Sequence, residues 1–327
     1  MKIEIATNQA QWDKFLQNNS EHPSFAQSYE WGEILMREGK RVERLAVFDN
    51  EKLMGQAQVV WASLPLGLKY AFCPMGPVTV AGKESEVLKI LAENLRKQGS
   101  VFLRVEPEIL PSNFSFKKTI DTNPGTTTII NVDGGEENWT ARMRKNTRYS
   151  IRQALKNNLI IKNEKNLAIF WDLLNVTADR DGFKTHVKKH YEVILNSAAV
   201  HQLMAYYQNK PIATAVFMVF GNTLTYLFAA SNHDQRHLFA PYLLQLEALQ
   251  LAEKLGCKYY DMFGIAPPTN KAGEDYAYDS KHHYAKITLF KTGFGGEIVS
   301  RPGTYDLVLN KPRYYFYQLI RAMRRWF

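Results

Sequence analysis

Lys291 lies between an aromatic residue, Phe290, and a group of glycines at positions 293, 295 and 296. A lysine ammonium can stabilise negative charge on a developing oxyanion or on a phosphate. Glycines allow a backbone to approach another group closely. The same segment also fits an ordinary pair of turns in an α/β core, and these residues alone leave both interpretations open.

A helix and a strand are expected to position this segment. Pro241 suits a first helical turn, and leucines recur from there until Gly256 ends the run. The following residues, Lys258–Gly264, have the composition of a strand. Together with Phe290–Gly296 they form a candidate substrate site.

Other candidate residues carry carboxylates or imidazoles. Glu106 and Glu108 come at the end of a predicted strand, where a carboxylate can orient an amine, although surface glutamates are the commoner case. His186 and His190 share a face if residues 184–195 are helical, but no HExxH pattern and no third ligand accompany them. We therefore predict no metal site, and we predict none at His282 and His283.

Several classes of enzyme lack their usual signatures here. The sequence has no GxSxG elbow, no phosphate-binding Walker loop and no dinucleotide fingerprint. Nucleophilic hydrolysis, nucleotide hydrolysis and hydride transfer are therefore disfavoured. Group transfer is the chemistry that remains.

A predicted helix, Asn138–Asn157, is strongly basic. Residues 143, 147, 151, 154 and 155 form its apolar face, and no acidic residue occurs from Thr140 to Ile160. Such a face can be solvated surface or can contact an anion. The opposite face carries Arg142, Lys145, Arg148, Arg152 and Lys156.

The last segment, 312–327, is also amphipathic, with aromatic and aliphatic residues on one face and arginines on the other. Two interpretations stay open. The helix can lie on an anionic membrane, or it can pack its aromatic face on the first domain while the arginines stay in water.

The 327-residue chain has a formal charge of +9 and a pI near 9.3, which favours an anionic partner. Its length suggests two domains. The N-terminus has no apolar leader region, and no apolar run approaches the ~20 residues of a membrane span. We therefore expect a cytoplasmic protein, in which Cys73 and Cys257 are packed thiols.

The sequence also contains an internal repeat. Ala46–Ala57 and Ala205–Ala215 both read as strand, turn and strand, and the predicted helices Glu84–Gln98 and Pro241–Leu255 start 157 positions apart (241 − 84). A strand follows each helix at the same offset. Two copies of one unit indicate an α/β (α+β) fold of tandem GNAT-like (acyl-CoA N-acyltransferase) domains. Leu238 replaces a glycine expected in an acetyl-coenzyme A loop and would crowd a phosphate there.

Several motifs resemble those of the FemABX family, the tRNA-dependent aminoacyl transferases that build peptidoglycan cross-bridges. The resemblance covers nearly the whole chain and is to the compact form, without a coiled-coil arm. It implies a first domain of residues 1–138 completed by 301–327, and a second of residues 139–300. The motifs are Phe25–Trp31, Leu103–Glu108, Arg144–Ala154, Tyr242–Gln245, Tyr260–Pro267 and Phe290–Gly296.

By this resemblance, Lys291 is the functional lysine, the Phe290 carbonyl positions the amine and Glu106 is an acidic position for orienting it. Where members that use a nucleotide precursor have an Arg and a Lys at its phosphates, this chain has His186 and Leu35. Arg180, Lys184 or Lys188 are candidate replacements. The substrate-binding set implied is Tyr226, His186, Arg180, Tyr242, Gln245 and Asp261.

The resemblance implies aminoacyl-tRNA as donor, a peptidoglycan precursor as acceptor, and no metal or coenzyme. The charge and the amphipathic segment 312–327 favour lipid II, the lipid-linked precursor at the inner face of the membrane, over UDP-MurNAc-pentapeptide. Two alternatives stay open: a coenzyme A-dependent N-acyltransferase acting on another small substrate, and a membrane-peripheral binding module.

Overall fold

A computed structural model describes residues 1–270 and 276–323. The strands, numbered in chain order, are β1 Lys2–Ile5, β2 Arg41–Asp49, β3 Lys52–Ser63, β4 Lys69–Cys73, β5 Val78–Thr79, β6 Phe102–Val105, β7 Phe116–Lys118, β8 Thr126–Asn131, β9 Ile160–Asn163, β10 Val200–Tyr207, β11 Lys210–Phe220, β12 Thr223–Ser231, β13 Tyr259–Gly264, β14 Glu297–Ser300 and β15 Tyr305–Val308.

The helices are numbered in the same way. They are α1 Gln9–Asn18, α2 Tyr29–Arg37, α3 Glu84–Lys97, α4 Gly135–Ala141, α5 Lys145–Lys156, α6 Leu167–Asp181, α7 Lys188–Leu195, α8 Ala240–Lys254, α9 Ala285–Thr292 and α10 Lys311–Met323. Short 3-10 turns occur at Phe25–Gln27, Pro65–Gly67 and His233–Leu238.

The chain divides into two compact units. Unit 1 consists of Met1–Gly125 and Arg301–Phe327, and unit 2 of Thr126–Ser300. The boundary predicted at residue 138 lies one strand and the start of a helix later in the chain than this division. Residues 126–131 form β8, which pairs with β13 and β14, so this segment is part of the second sheet.

Unit 1 is built on one mixed sheet with strand order β1-β2-β3-β4-β6-β15-β7, and β5 pairs with β3. The core under α3 is formed by alternating residues of these strands, such as Leu45, Val59 and Leu103. The motif at Phe25–Trp31 serves this unit structurally. Its Gln27 side chain is buried and accepts the Gln58 N–H at 2.8 Å, which ties the motif to β3.

Unit 2 has a seven-stranded sheet in the order β14-β8-β13-β12-β11-β10-β9. The helix α8 is apolar on most sides because it is buried against this sheet and against α5. Its start at Ala240, with Pro241 in the first turn, follows the prediction. The strand β13 pairs in parallel with β12 and antiparallel with β8.

The predicted repeat is present in both units. The hairpin β2–β3 of unit 1 corresponds to β10–β11 of unit 2, and α3 followed by β6 corresponds to α8 followed by β13. In unit 1 the strand after the helix, β6, pairs in parallel with β4, and in unit 2 the corresponding strand, β13, pairs in parallel with β12. The longest helices in the described parts of the chain, α6 and α8, have 15 residues.

The basic helix predicted over Asn138–Asn157 is two helices, α4 and α5, with a break at residues 142–144. Arg144 is extended, with ψ 150°, and its N–H donates to the Gly293 carbonyl at 2.8 Å. The loop after α9 therefore occupies the place where a continuous helix would run. Leu155, predicted on the apolar face, is 58% exposed, so the buried face of α5 is narrower than predicted.

Candidate active site

Unit 2 contains a cavity of about 320 Å³ between β11, β12 and the helices α6, α8 and α9. Much of its lining is apolar, with a few convergent polar groups, which is typical of a ligand site. The residues predicted from sequence that line it are Arg180, Tyr226, Gln245, Phe290 and Lys291.

Lys291 is placed in this wall by α9. Its Nζ donates to the Gly264 carbonyl at 3.0 Å and lies 5.3 Å from the centre of the Tyr226 ring. Burial lowers the pKa of Lys291 to about 7, although the charge of Asp261 acts in the opposite direction. A lysine whose charge state changes near neutral pH at a cavity wall is a candidate for chemistry.

The Gly264 carbonyl is available because β13 is irregular at its end. The pairing with β8 shifts between Asp261 and Gly264, and Phe263 between them has a left-handed φ of +58°. The Asp261 carboxylate accepts the Phe263 N–H at 2.7 Å and the Thr127 hydroxyl, which holds this bulge. Asp261 therefore holds the bulge whose Gly264 carbonyl accepts from Lys291, and it does not line the cavity.

Buried polar side chains form part of the cavity wall. Gln245 is 1% exposed and accepts the Tyr260 hydroxyl, and it also hydrogen-bonds Tyr226. Burial raises the pKa of Tyr226 far above its ordinary value, with the Gln245 hydrogen bond opposing the effect. Tyr226 is therefore a neutral hydroxyl at pH 7, and its ring stacks on Phe217 at 5.6 Å.

Phe290 and Tyr242 pack against each other beside Lys291, with ring centres 5.0 Å apart. Both line an adjoining cavity of about 220 Å³ at the start of α8. The Phe290 carbonyl, predicted to position an amine, already accepts the Gly293 N–H at 3.2 Å, where α9 ends. A carbonyl oxygen has a second lone pair, so it can accept one more hydrogen bond.

Arg180 and His186 have different surroundings. Arg180 lines both cavities, and its guanidinium forms two hydrogen bonds to the Asp181 carboxylate, at 2.8 and 2.7 Å. These bonds raise the pKa of Arg180. His186 does not line either cavity. It is exposed ahead of α7, because the helix considered over residues 184–195 begins only at Lys188, and its ring lies 4.2 Å from that of His190.

Glu106 belongs to unit 1 and is 4% exposed. Its oxygens accept hydrogen bonds from four donors: the Met75 N–H, the Asn123 N–H, the Asn123 side-chain amide and the Thr304 hydroxyl. These hydrogen bonds join separate segments of unit 1. The sequence predicted a different role for Glu106, the orientation of an amine. Glu108 is exposed and lines a separate cavity of about 420 Å³ in unit 1.

The predicted basic face is only partly a free surface. Arg148 is half-buried and donates to the carbonyls of Ala141 and Met143 at the end of α4, and Arg142 donates to the Asn131 carbonyl. Lys145, Arg152 and Lys156 are exposed. With Tyr149, they follow a spacing of four, three and four residues, which puts the four side chains in one line along α5.

Tyr149 and the Gly264 carbonyl are two features that sequence reasoning missed. Tyr149 is 52% exposed within the line of cations, and its spacing from Lys145 and Arg152 is readable in the sequence. The Gly264 carbonyl has no sequence signal, because any residue type supplies that atom.

Leu238, which the sequence predicts to crowd a phosphate, lies at the end of the 3-10 turn before α8. Its side chain is 3% exposed and belongs to the core of unit 2. Elsewhere in the described residues, no group of three or more His, Cys, Asp or Glu side chains is arranged to hold a metal ion. Within the same residues, none of the helices has the length and apolar character needed to cross a bilayer.

Comparison with solved structures gives the fold. The crystal structure of FemX superposes with a TM-score of 0.79 at 16% identity, covering 97% of this chain and 99% of that chain. A tandem GNAT protein from the clavulanic acid biosynthesis pathway superposes with a TM-score of 0.54 at 12% identity, covering 94% and 99%. The predicted tandem GNAT-like fold is confirmed.

Comparison of sequences gives the family. A lipid II:glycine glycyltransferase of Staphylococcus epidermidis is 21% identical over 402 aligned positions, which cover 93% of this chain and 94% of that protein. The FemAB family model matches residues 7–132 and 196–322, which is well over half of the sequence. The chain therefore belongs to the FemAB family, as its motifs predicted.

Proposed function

We propose that this chain is an aminoacyl transferase that moves an amino acid from aminoacyl-tRNA to the stem-peptide amine of a peptidoglycan precursor, with lipid II as the preferred acceptor. The observation that carries the proposal is the buried Lys291 at the wall of the unit 2 cavity. The relative named as a lipid II:glycine glycyltransferase, aligned over 93% of the chain, supports the same reaction class.

The reaction requires positioning and charge stabilisation more than acid or base strength. The acceptor nitrogen attacks the ester carbonyl of the aminoacyl-tRNA, the C–N bond forms, and the C–O bond to the tRNA ribose breaks. The proton lost by the amine goes to the released ribose hydroxyl. The tetrahedral intermediate carries an oxyanion, which a preorganised donor in a site shielded from water stabilises.

Lys291 supplies that donor. When protonated, its Nζ has three N–H groups, and one is used by the Gly264 carbonyl. The remaining two can donate to the oxyanion. Because the Gly264 bond fixes the ammonium before substrate arrives, the group needs little reorganisation during the reaction. The second lone pair of the Phe290 carbonyl is the acceptor for the incoming amine.

The line of Lys145, Tyr149, Arg152 and Lys156 on α5 is the proposed tRNA contact. Three exposed cations without an acidic neighbour on the helix attract phosphates, and an exposed tyrosine can stack on an unpaired base. Arg142 and Arg148 contribute positive charge, but their hydrogen bonds to backbone carbonyls limit their reach.

Arg180 is the proposed contact for an anionic group of the acceptor, because its guanidinium lines both cavities of unit 2. Three of the five guanidinium N–H groups are used, two by Asp181 and one by the Ser231 carbonyl. Those that remain can donate to a phosphate or a carboxylate. His186, which lies outside both cavities, is not needed in this arrangement.

The test is a transfer assay with bulk tRNA charged with labelled amino acids, with lipid II and UDP-MurNAc-pentapeptide offered separately. We expect label in lipid II. Lys291→Met should lower the rate about 10²- to 10³-fold, the cost typical of removing one oxyanion donor. Lys286→Met is the matched control, since it removes an exposed cation from the same helix, and it should retain activity.

Three results would contradict the proposal. One is absence of label in both acceptors with folded protein and intact aminoacyl-tRNA, and another is full activity of Lys291→Met. The third is turnover of an acyl-coenzyme A in the same assay without tRNA, which would favour the coenzyme A-dependent alternative. Label in the nucleotide precursor alone would keep the reaction and change the acceptor.

The contact with tRNA has its own test. Lys145→Gln/Arg152→Gln/Lys156→Gln should weaken tRNA binding and lower the slope of log affinity against log salt by about 2 to 3, as expected for three lost phosphate contacts. The control Lys52→Gln/Lys97→Gln/Lys210→Gln removes the same charge from exposed positions elsewhere. An equal loss in both variants would mean that α5 is not the contact.

A further inference from the structure

The helix α10 is attached to unit 1 by one face. Tyr314 is 4% exposed, its ring packs edge-on against Phe102 at 5.4 Å, and its hydroxyl donates to Asp306 at 3.2 Å. Tyr317, one turn later, stacks on Phe102 at 5.7 Å. These contacts fix the rotation of the helix about its axis.

The opposite face of α10 is apolar and uncovered. At 100° per residue, Tyr315, Phe316, Leu319 and Met323 fall on one arc on the side away from Tyr314 and Tyr317. Their exposed fractions are 59%, 45%, 58% and 49%. We call these four residues the outer face. The aromatic face that could have packed on the first domain therefore points to solvent.

The C-terminal segment itself brings exposed positive charge to the outer face. Lys311 and Arg313 are exposed at the start of the helix. Asp306 is the single acidic residue in the sequence from Arg301 to Phe327, and it is buried and paired with Arg104 at 2.7 Å. An anionic surface would meet no uncompensated negative charge from this segment.

A second element presents an apolar side chain beside α10. The turn Pro65–Gly67, between β3 and β4, has Leu66 at its tip, 77% exposed and with a left-handed φ of +60°. The flanking residues Leu64 and Leu68 pack in the same small cluster as Tyr314 and Tyr317. The left-handed backbone conformation of a leucine destabilises the fold by about 1 kcal/mol. Burial of the Leu66 side chain does not offset this, because the side chain is exposed.

We propose that the outer face of α10 is a membrane-docking surface that lies in the headgroup region of a bilayer rich in anionic phospholipids. Tyrosine and phenylalanine suit that region, and Lys311 and Arg313 are placed to contact lipid phosphates. The charge complementarity selects a lipid surface over a second copy of the chain, whose own outer face would bring like charges together. The inference rests on the proposed function in that docking delivers the enzyme to a lipid-linked acceptor.

The test is sedimentation of the full chain with vesicles of phosphatidylcholine, alone or mixed with phosphatidylglycerol. We expect binding to the mixed vesicles that decreases with salt. Phe316→Ser/Leu319→Ser should lower the partition coefficient at least about tenfold. The matched control Leu155→Ser/Ile160→Ser removes two exposed apolar side chains from unit 2 and should bind normally. The four side chains are exposed, so both variants should fold, which circular dichroism checks.

Two outcomes overturn the inference. The first is that the wild type does not bind the mixed vesicles. The second is that Phe316→Ser/Leu319→Ser binds them as well as the wild type does. If the wild type does not bind lipid and is a dimer in size-exclusion chromatography, and that variant is a monomer, the outer face contacts a second copy of the chain. Vesicle binding with no aminoacyl transfer to any acceptor would leave docking standing and refute the proposed function. Aminoacyl transfer to a water-soluble acceptor without vesicle binding would refute docking and leave the aminoacyl-transfer reaction standing.

Discussion

At the scale of single residues, the environment of Lys291 determines its chemistry. Burial disfavours the ammonium, while the charge of Asp261 favours it. The balance brings the pKa to about 7, so both charge states are populated at neutral pH. Only the protonated form can stabilise an oxyanion as a cation.

This balance predicts the pH dependence of transfer. For a lysine-type acceptor with an ordinary pKa of ~10.4, deprotonation of the acceptor raises kcat/KM tenfold per pH unit. Above about pH 7 the loss of the Lys291 proton cancels that rise. The profile of the wild type should therefore level off near pH 7, whereas that of Lys291→Met should keep rising at a far lower rate.

Initial rates from pH 6 to 8.5, corrected for hydrolysis of the aminoacyl ester, test this prediction, because kcat/KM reports groups of the free enzyme. Lys286→Met serves as control and should level off like the wild type. Identical profiles for wild type and Lys291→Met would show that the break belongs to another group.

Glu106 leads to a prediction on stability. In Glu106→Gln, an amide NH₂ replaces one of the oxygens that face four donors, so at least one buried donor loses its acceptor. We expect a loss of about 2–3 kcal/mol in the free energy of unfolding. Faster hydrogen exchange at the Met75 and Asn123 amides would identify the site of the effect.

Glu108→Gln is the control for Glu106→Gln, since its carboxylate is exposed and accepts the Ser20 hydroxyl. Glu108→Gln should change the free energy of unfolding by no more than about 0.5 kcal/mol. Unchanged stability and exchange in Glu106→Gln would mean that the four donors find other acceptors, and the amine-orienting role would return as the better explanation.

At the scale of elements, the glycines after α9 meet the chain itself. A Cβ on Gly295 would lie 2.2 Å from the Arg142 carbonyl, and one on Gly293 would lie 2.4 Å from the Thr147 hydroxyl. The close approach anticipated from the sequence is thus between this loop and the break that separates α4 from α5. The loop fixes the end of α9 next to Lys291.

Gly295→Ala should destabilise unit 2 by about 2–4 kcal/mol. Its φ of +77° disfavours alanine by about 1 kcal/mol, and the overlap with the Arg142 carbonyl forces a backbone shift that costs a further 1–3 kcal/mol or so. Gly256 has a similar φ of +71°, and a Cβ there would have no atom within 4 Å. Gly256→Ala should therefore lose only the ~1 kcal/mol that comes from the backbone conformation. Urea unfolding of both variants gives the difference, and equal values would refute the packing role.

At the scale of the whole molecule, the C-terminal segment completes the sheet of unit 1. The strand β15 lies between β6 and β7, and Asp306 forms two hydrogen bonds to Arg104, 202 positions earlier, at 2.7 and 3.1 Å. Burial alone would lower the pKa of Arg104, but the Asp306 bonds and charge raise it. The pair ties the C-terminal segment of unit 1 to its first segment, Met1–Gly125.

Asp306→Ala should therefore destabilise unit 1 by about 3–5 kcal/mol, because it leaves the Arg104 charge buried without its partner. The double variant Arg104→Met/Asp306→Leu should recover much of that loss, which thermal unfolding can measure. Glu86→Ala breaks an exposed pair with Lys83 and should change stability by less than about 1 kcal/mol. A small effect of Asp306→Ala would mean that β15 is held by its backbone pairing alone.

The sequence by itself determined the order of the elements and the family. Alternating and helical periodicities record which positions are buried locally, so the hairpins, α3, α8 and the strands after them were predictable, together with the repeat that relates them. The motifs that resemble those of the FemABX family are also short stretches of sequence, so they could be recognised without the structure. The sequence could also indicate Lys291, since its aromatic and glycine neighbours are adjacent in the chain.

Only the tertiary structure decided what these residues contact. The acceptor for Lys291 is a backbone carbonyl, Glu106 is enclosed by donors from three separate segments, and Arg148 donates to the end of α4. None of these partners has a residue-type signal at a fixed spacing. The outward direction of the apolar face of α10 was likewise undecided by periodicity. An amphipathic pattern gives two faces, and the packing of Tyr314 and Tyr317 on Phe102 selects which one is buried.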